Sequence, residues 1–363
     1  MNKELRSEWH LLPLFGEKEK QADLLIISGP CSAESQSQMQ ATASGLARAG
    51  VKFFRAGIWK PRTRPGSFEG IGAPALKWLV NSANQNNMTP LTEVANEAHV
   101  RAALRAGLRN FWIGARTTTN PFAVQEIADV FAQLPEDVKH SVTVLVKNPV
   151  NPDLELWIGA LQRLYVSCIR RLGAIHRGFS AYGEKFYRNR PEWRIPVELK
   201  RRIPELPLIC DPSHIAGRRG LVEKVARQAV DMNYEGLIIE SHCNPDSALS
   251  DKDQQLLPED VGKLISSLGK RRGKAPDNCL FTLRDEIDNI DRELVGLLAR
   301  RMNVAREIGE LKRVHQIPVL QPERYRSLME ERIEEARELG LSPDFMKKIF
   351  STIHDESVNQ QLQ

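Results

Sequence analysis

The chain has no apolar run of about 18 residues, the minimum for a membrane-spanning helix. Its opening, Met1-Asn2-Lys3-Glu4-Leu5-Arg6, has no apolar core of the signal-peptide kind. Cysteine is scarce: five residues at 31, 168, 210, 243 and 279, scattered and odd in number. That argues against a disulfide scaffold and fits reduced, cytoplasmic thiols. A cysteine with a role is then expected to be a ligand or a nucleophile. An excess of one charge is missing too. The 51 basic and 46 acidic residues leave only +5, too mild and too evenly spread for a nucleic-acid binder. What remains is an ordinary globular mix, 41% hydrophobic and 27% charged, over 363 residues. That length suggests roughly two domains.

The first two-thirds alternate short β-rich runs with helical ones. Eight strands are expected: Leu24–Ile27, Lys52–Arg55, Pro90–Glu93, Asn110–Ile113, Thr143–Lys147, Arg171–His176, Leu208–Asp211 and Gly236–Glu240. Helical patterns at Ser37–Ala49, Ala95–Ala106, Val124–Ala132, Leu154–Cys168 and Leu221–Val230 fall between them. Such alternation predicts an α/β fold, a (β/α)₈ TIM barrel, with an open doubly wound sheet as the rival. No dinucleotide fingerprint follows the first strand; Gly29-Pro30-Cys31-Ser32 stands there instead. A polar or ionisable residue lies at or just past the end of each strand. In order these are Cys31, Arg55 with Lys60, Glu93, Arg116, Lys147, Arg177, Asp211 with His214, and Glu240. Barrel enzymes build their sites from that rim.

These residues suggest two kinds of chemistry. Cys31, His214, Glu240 and Asp251 offer S, N, O and O donors, a mixture suited to Mn, Fe, Co or Zn rather than Ca or Mg. His242 and Cys243 are rival ligands, since strand alternation would put Glu240 and His242 on one face. Arg55, Lys60, Arg62, Arg64, Arg116, Lys147 and Arg177 all take rim positions. Converging cations would repel one another without anions, so phosphate- and carboxylate-bearing substrates are expected.

Taken together, Ser28-Gly29-Pro30-Cys31-Ser32, Arg55-Ala56-Gly57, Lys60-Pro61-Arg62-Thr63, Ile113-Gly114-Ala115-Arg116, Asp211-Pro212-Ser213-His214, Ile239-Glu240 and Ala248-Leu249-Ser250-Asp251 resemble the 3-deoxy-D-arabino-heptulosonate-7-phosphate (DAHP) synthases, type I, β subgroup. The resemblance covers about residues 20–265. It implies a metal-dependent barrel that condenses phosphoenolpyruvate with erythrose 4-phosphate and releases phosphate. It implies Cys31, His214, Glu240 and Asp251 as ligands of one divalent ion, Mn²⁺ foremost, with Fe²⁺, Co²⁺ and Zn²⁺ as alternatives. Arg55, Lys60, Arg116, Lys147 and Arg177 match the residues that hold phosphoenolpyruvate. Lys60, Pro61, Arg62 and Thr63 match the loop that grips erythrose 4-phosphate, with Asp211 against its carbonyl end. The catalytic set so implied in the barrel is Lys60, His214 and Cys31. The family loop continues with Ser and Pro-Tyr, whereas this chain reads Arg64-Pro65-Gly66, and Arg64 is expected to face solvent. The subgroup's N-terminal ferredoxin-like regulatory domain has no counterpart in the twenty-odd residues before the first strand. A barrel using another aldose phosphate, as in 3-deoxy-octulosonate 8-phosphate synthesis, is the alternative that Lys60-Pro61-Arg62-Thr63 argues against.

Near residue 269 the texture changes. Gly269-Lys270-Arg271-Arg272-Gly273-Lys274-Ala275-Pro276-Asp277 reads as an exposed linker. Barrel 1–268, linker 269–279 and helical domain 280–363 are the expected divisions. Beyond the linker Ile287, Ile290, Leu294, Leu297, Leu298, Val304, Ile308 and Leu311 recur at helical spacing, predicting a helix of about thirty residues ended by Pro318. Pro322 can open a second helix, Gly340 can cap it, and Ser342-Pro343-Asp344 can start a third. Three such helices bury little alone and are expected to pair with a second copy.

On the first helix Arg301 and Lys312 differ by about 20° and lie about 16 Å apart, within reach of one small dianion. Arg284 lies about 42 Å from Lys312 along the axis and could meet the same ligand only from an antiparallel partner. Leu283-Arg284-Asp285-Glu286-Ile287-Asp288 through Ser357-Val358 resembles the all-helical, AroQ-class chorismate mutases over about residues 280–363. That resemblance implies a homodimer rearranging chorismate to prephenate. Arg284, Arg301, Lys312, Arg324, Ser357 and Gln361 fall on the family's binding positions. Lys312 and Gln361 would donate to the ether oxygen that gains charge as its bond breaks. Gln321 and Tyr325 replace carboxylates that commonly accept the substrate hydroxyl, with Glu323 nearby. A domain serving only regulation or dimerisation is the alternative. The pairing of two steps of one pathway suggests feedback on the barrel by prephenate or chorismate. No nucleic-acid or membrane partner is expected.

Overall fold

The computed structural model describes residues 9–16, 24–60, 66, 68–268 and 277–362. It divides into two compact units, Met1–Arg271 and Arg272–Gln363.

In the first unit eight parallel strands close into a barrel in sequence order: β1 Leu25–Gly29, β2 Phe53–Ala56, β3 Thr89–Val94, β4 Asn110–Ile113, β5 Thr143–Lys147, β6 Arg171–His176, β7 Leu208–Cys210 and β8 Gly236–Glu240. Closure comes from β1 lying against β8, with Leu25 opposite Gly236 and Gly29 opposite Glu240. The open sheet is thereby excluded. Most strands are buried on both faces, as parallel strands covered by helices must be. Alternate residues therefore feed two cores. Leu25, Ile27, Phe53, Leu91, Trp112, Leu145, Ile175, Ile209 and Ile238 form the cluster that fills the barrel interior. Their neighbours, such as Phe54, Phe111, Val144 and Ile239, join the larger cluster shared with the surrounding helices.

The interior cluster also takes in Leu14, with the Phe15 ring centred 4.2 Å from that of Phe53 and tilted to it. Thr143 Oγ1 donates to Leu14 O, and an Arg171 guanidinium nitrogen donates to Pro13 O. The described N-terminal segment thus closes the barrel end opposite the polar rim. Several helices start at side-chain caps that satisfy orphan amides: Ser35 for Gln36–Arg48, Asn96 for Glu97–Arg105, Asn120 for Pro121–Ala132 and Asp153 for Leu154–Val166.

Element edges differ from the expectations in instructive places. β7 stops at Cys210 because Asp211 leaves the strand to cap the short Pro212–Ala216 helix, accepting from His214 N at 3.1 Å. Ala75–Gln85, Arg194–Arg202 and Pro258–Leu268 are helices without a counterpart among the expected segments.

Among the described residues the second unit holds three helices, Asp277–Val314, Pro322–Glu338 and Pro343–Leu362. The first has 38 residues rather than about thirty. Of the stretch expected as linker, 269–276 lie outside the described residues, and Asp277 already begins this helix. It ends before Pro318, where Gln316 turns left-handed (φ 56°) and Ile317 N donates back to Lys312 O. Pro322 does stand at the start of the second helix, left-handed Gly340 (φ 75°) follows its end, and Ser342 Oγ accepts from Phe345 N at the third. No described helix is long and apolar enough to cross a membrane.

Candidate active sites of the barrel and the helical unit

The strand ends bring the rim residues into one mouth. Cys31, Glu240 and Asp251 place ligand atoms within 4.8 Å of one another. Cys31 follows β1, and its backbone is tied to the opposite side of the mouth by Gln255 Oε1, which accepts from Cys31 N at 2.9 Å. Its Sγ donates to Asp251 Oδ2 at 3.2 Å and accepts from Lys60 Nζ at 3.0 Å. Glu240 ends β8, fully buried. Its Oε1 lies 3.3 Å from Arg55 Nη2 and 3.7 Å from His214 Nε2, yet accepts no hydrogen bond. Asp251 is held in a left-handed conformation (φ 48°) uncommon for a residue other than glycine.

His214 stands beside this trio rather than within it. Its Nδ1 is 2.8 Å from Asp211 Oδ2, which turns Nε2 toward Glu240. A carboxylate behind an imidazole is the usual way to orient a ligating histidine. The rivals fall elsewhere. β8 ends at Glu240, so strand alternation does not carry on to His242. The Nδ1 of His242 accepts from Asn244 N, and its Nε2 lies 3.5 Å from Glu34. Cys243 lines a surface groove with Gly45, Arg48 and Gly262.

The electrostatics follow from burial and charge. Burial, with Glu240 and Asp251 adding to it, pushes the Cys31 thiol up to about 12 against the pull of Lys60. Burial works against ionised Glu240, but His214 and Arg55 outweigh it and lower its carboxyl. Asp211 is likewise buried, and His214 and Lys147 hold it well below the usual carboxylate range. His214 is lowered by burial in spite of Asp211. A buried S, N, O, O set with an orphaned carboxylate oxygen fits a divalent cation.

The cations gather beside it. Arg55 is 1% exposed, packs over the Trp112 ring at 4.7 Å, and leaves Nε and Nη1 buried without a partner. Buried donors of that kind are costly unless something accepts from them. Lys147 is buried with Nζ 2.8 Å from Asp211 Oδ2. Burial lowers the Arg177 guanidinium to about 10; Asp211 opposes this, while Arg188 and Arg116 add to it. Arg116 itself is exposed on the short Ala115–Thr118 helix. Close approach explains two glycines. A Cβ on Gly29 would stand 1.9 Å from Arg55 O, and one on Gly57 would stand 2.5 Å from Cys31 O and 2.7 Å from Lys60 Nζ. Glu93 accepts from Trp112 Nε1 at 2.9 Å on the adjacent strand. Pro61, Arg62, Thr63 and Arg64 lie outside the described residues.

Rim reasoning from strand ends missed Arg188, Asn189 and Gln254. Arg188 lies 3.2 Å from Asp251 Oδ1, Gln254 donates to Glu240 Oε2 at 2.6 Å, and Asn189 accepts from Arg177 Nη1 at 2.7 Å. Arg188 and Asn189 sit deep in the connection after β6, not at a strand end. Its unusual length was the available signal, since long loops in compact domains are commonly functional.

In the helical unit four of the six expected residues come together. Arg301 donates to Ser357 Oγ, and at 3.4 Å to Ile353 O. Lys312 Nζ donates to Gln361 Oε1 at 3.0 Å and to Val319 O at 2.8 Å. The two helices touch closely because residue 309 is glycine: a Cβ there would stand 2.7 Å from Gln361 Cα. Arg284 is exposed near the far end of the first helix, and Arg324 is exposed on the second. The Tyr325 ring lies 4.3 Å from that of His354, tilted by 41°.

Comparison with known proteins agrees with both geometries. Residues 16–272 match the DAHP synthetase I family, and residues 283–362 match chorismate mutase type II. A phospho-2-dehydro-3-deoxyheptonate aldolase of Thermotoga maritima is 32% identical over 252 residues, covering 67% of this chain and 70% of that protein. A crystal structure of the Thermotoga enzyme superposes with a TM-score of 0.60 at 30% identity, covering 68% of each chain. The T-protein of Enterobacter agglomerans is 37% identical over 82 residues, 23% of this chain and 22% of that protein. A 4-amino-4-deoxychorismate mutase of Streptomyces pristinaespiralis is 32% identical over 78 residues, 22% of this chain and 60% of that protein. With the closed barrel, its clustered donors and the three-helix unit, these matches place the chain in the DAHP synthetase I family, carrying a chorismate mutase type II domain after its barrel.

Proposed function

We propose that the barrel condenses phosphoenolpyruvate with erythrose 4-phosphate to DAHP, and that the helical domain converts chorismate to prephenate. The observation that carries the first half is Arg55: a fully buried guanidinium with two unpartnered nitrogens beside the Cys31, Glu240 and Asp251 cluster. Arg55, Arg116, Lys147 and Arg177 bind the phosphate and carboxylate of phosphoenolpyruvate. Lys60 serves both substrates, and Pro61, Arg62 and Thr63 grip erythrose 4-phosphate. Cys31, His214, Glu240 and Asp251 hold one divalent ion, Mn²⁺ foremost among Mn²⁺, Fe²⁺, Co²⁺ and Zn²⁺. A divalent ion bound there supplies Lewis acidity at the aldehyde oxygen. C3 of phosphoenolpyruvate attacks the aldehyde carbon, water adds at C2, and phosphate leaves. Asp211 fixes His214 and Lys147 and faces the carbonyl end of the sugar phosphate. Fixed cations hold two anionic substrates together, so positioning and preorganised charge supply much of the rate.

In the helical domain Arg301 pairs one carboxylate of chorismate, and Lys312 and Gln361 donate to the ether oxygen. Ser357 and Arg324 complete the pocket on the same chain. Arg284 reaches it from a second copy laid antiparallel, and the exposed apolar residues of the Asp277–Val314 helix support that homodimer. Prephenate or chorismate bound at this domain inhibits the barrel through the stretch that precedes Asp277.

A paired assay tests this reading. DAHP and prephenate formation are measured on the whole chain and on a chain stopped at Gly269. The whole chain should form both products, and saturating prephenate should slow only its DAHP formation. Unchanged barrel kinetics with prephenate would sink the feedback. No prephenate from the whole chain would leave the helical domain a dimerisation or regulatory module. Full DAHP activity after chelation would remove the metal.

A further inference from the structure

The connection after β6, residues 177–193, has no regular element, yet it is pinned at several points. Phe179 and Arg190 exchange backbone hydrogen bonds of 2.8 Å in both directions. Arg188 N and Asn189 N both donate to Ile215 O, at 3.1 and 3.3 Å. His176 Nε2 lies 2.6 Å from Pro191 O, and Tyr234 OH lies 3.1 Å from His176 Nδ1. A Cβ on Gly178 would stand 2.6 Å from Asn189 O, so the loop folds closely over its own start. Two adjacent side chains, Arg188 and Asn189, are thereby presented to different groups of the barrel mouth.

Each makes a connection whose polarity is forced. Arg188 Nη1 lies 3.2 Å from Asp251 Oδ1 and donates to Gln254 Oε1 at 2.6 Å. A guanidinium only donates, so the Gln254 oxygen must face it and the amide nitrogen must point away. That nitrogen donates to Glu240 Oε2 at 2.6 Å. Arg188 thus touches one clustered carboxylate directly and orients the other through Gln254. Asn189 is buried and works the same way. Its Oδ1 accepts from Arg177 Nη1 at 2.7 Å, which obliges Nδ2 to donate to His214 O at 2.6 Å.

We propose that Arg188 and Asn189 are positioning residues that join the two halves of the barrel site: Arg188 presents the Asp251 and Glu240 carboxylates to the divalent ion, and Asn189 holds Arg177 on phosphoenolpyruvate. This rests on the metal and substrate reading given above. Removing Arg188 frees the Gln254 amide to flip and to set an oxygen against the Glu240 carboxylate. Removing Asn189 frees a guanidinium that otherwise meets the substrate in one orientation.

The test uses the full chain stripped of metal. Co²⁺ is titrated while the thiolate-to-cobalt absorption of Cys31 is followed, and phosphoenolpyruvate binding to the metal-free protein is measured by calorimetry. Arg188→Met should weaken Co²⁺ binding about 10- to 100-fold, the usual range for groups that orient ligands. It should leave metal-free phosphoenolpyruvate affinity within about twofold. Asn189→Ala should weaken phosphoenolpyruvate about tenfold, and Co²⁺ less than Arg188→Met does. Gln254→Leu cuts the same relay with Arg188 intact and should repeat the Co²⁺ loss, which covers an Arg188 variant that fails to fold. If wild type shows no thiolate band, the metal reading falls and this proposal falls with it. A wild-type band with unshifted variants, or variants that lose both ligands equally, overturns this proposal alone.

Discussion

In the barrel interior Leu25, Ile27, Phe53, Leu91, Trp112, Leu145, Ile175, Ile209 and Ile238 are no more than 3% exposed. On the Asp277–Val314 helix Ile287, Ile290, Leu294, Leu297, Val304, Ile308 and Leu311 are 40–59% exposed. Both sets have the periodicity of their element, so the difference is one of closure. A parallel strand needs neighbours for its hydrogen bonds, and closing the sheet buries its side chains in the same step. A helix completes its hydrogen bonds alone and can present an apolar face that nothing in its own unit covers. The sites differ accordingly. The barrel gathers its described donors and cations within one chain, whereas the helical unit gathers Arg301, Lys312, Ser357 and Gln361 but leaves Arg284 far away.

The sharpest way to break this contrast is complementation. Lys312→Ala should lower prephenate formation about 10²- to 10³-fold, the cost of a donor aimed at developing negative charge. Arg284→Ala should also abolish most of it. Mixed and allowed to exchange subunits, the two inactive variants should regain a measurable fraction, because a mixed dimer keeps one intact site. DAHP formation should not change in either variant. No recovery on mixing would mean that Arg284 acts within its own chain or not at all.

A second test strains the helical unit only. Gly309→Ala sets a Cβ 2.7 Å from Gln361 backbone atoms, and overpacking of this kind costs about 1–3 kcal/mol. Prephenate formation and the melting of the helical unit should fall while DAHP formation holds. Equal loss of both activities would contradict the separate packing of the two units.

A third prediction concerns acid and the barrel. Burial lowers His176 to about 3, with a backbone hydrogen bond to Pro191 opposing the shift. Unfolded, the same imidazole titrates near 6.5. Between these values the unfolded chain binds a proton that the folded barrel refuses, so stability falls as pH drops below about 6.5. From pH 7 to pH 5 the loss should be about 2 kcal/mol from this group. His176→Phe should flatten that part of the pH profile in denaturant titrations. An unaltered profile would show that the buried imidazole does not govern it.

A fourth prediction concerns metal affinity with pH. With its thiol raised to about 12, Cys31 must lose a proton to ligate. Co²⁺ binding should therefore strengthen about tenfold per pH unit between pH 6 and 8. The Cys31→Ser variant should lose most of that slope and bind more weakly throughout.

Much of the barrel was legible because its code is local. Eight apolar runs with a polar residue after each give strand number, order and the polar rim, and all eight predicted strands begin within one residue of an observed start, with four matched at both ends. The edges that moved did so where a side chain competes with the ladder, as Asp211 does by capping a helix. The metal-ligand candidates were legible by residue type, yet spacing alone could not reject His242. That needed the end of β8 and the turn toward Glu34. The long helix was legible from its heptad-like spacing, while its end depended on the left-handed turn at Gln316.

The sequence by itself determined the division into an alternating β/α part and a helical part, the residues that can bear charge or ligate, and the two families they resemble. These follow from periodicity and residue chemistry, which act over short stretches. Only the tertiary structure decided that Arg55 keeps two buried nitrogens unpartnered, that His214 stands behind Glu240 on Asp211, and that Arg188 and Asn189 reach different groups of the mouth. Those relations join residues far apart in the chain, and their geometry depends on how a closed sheet brings its loops to one rim.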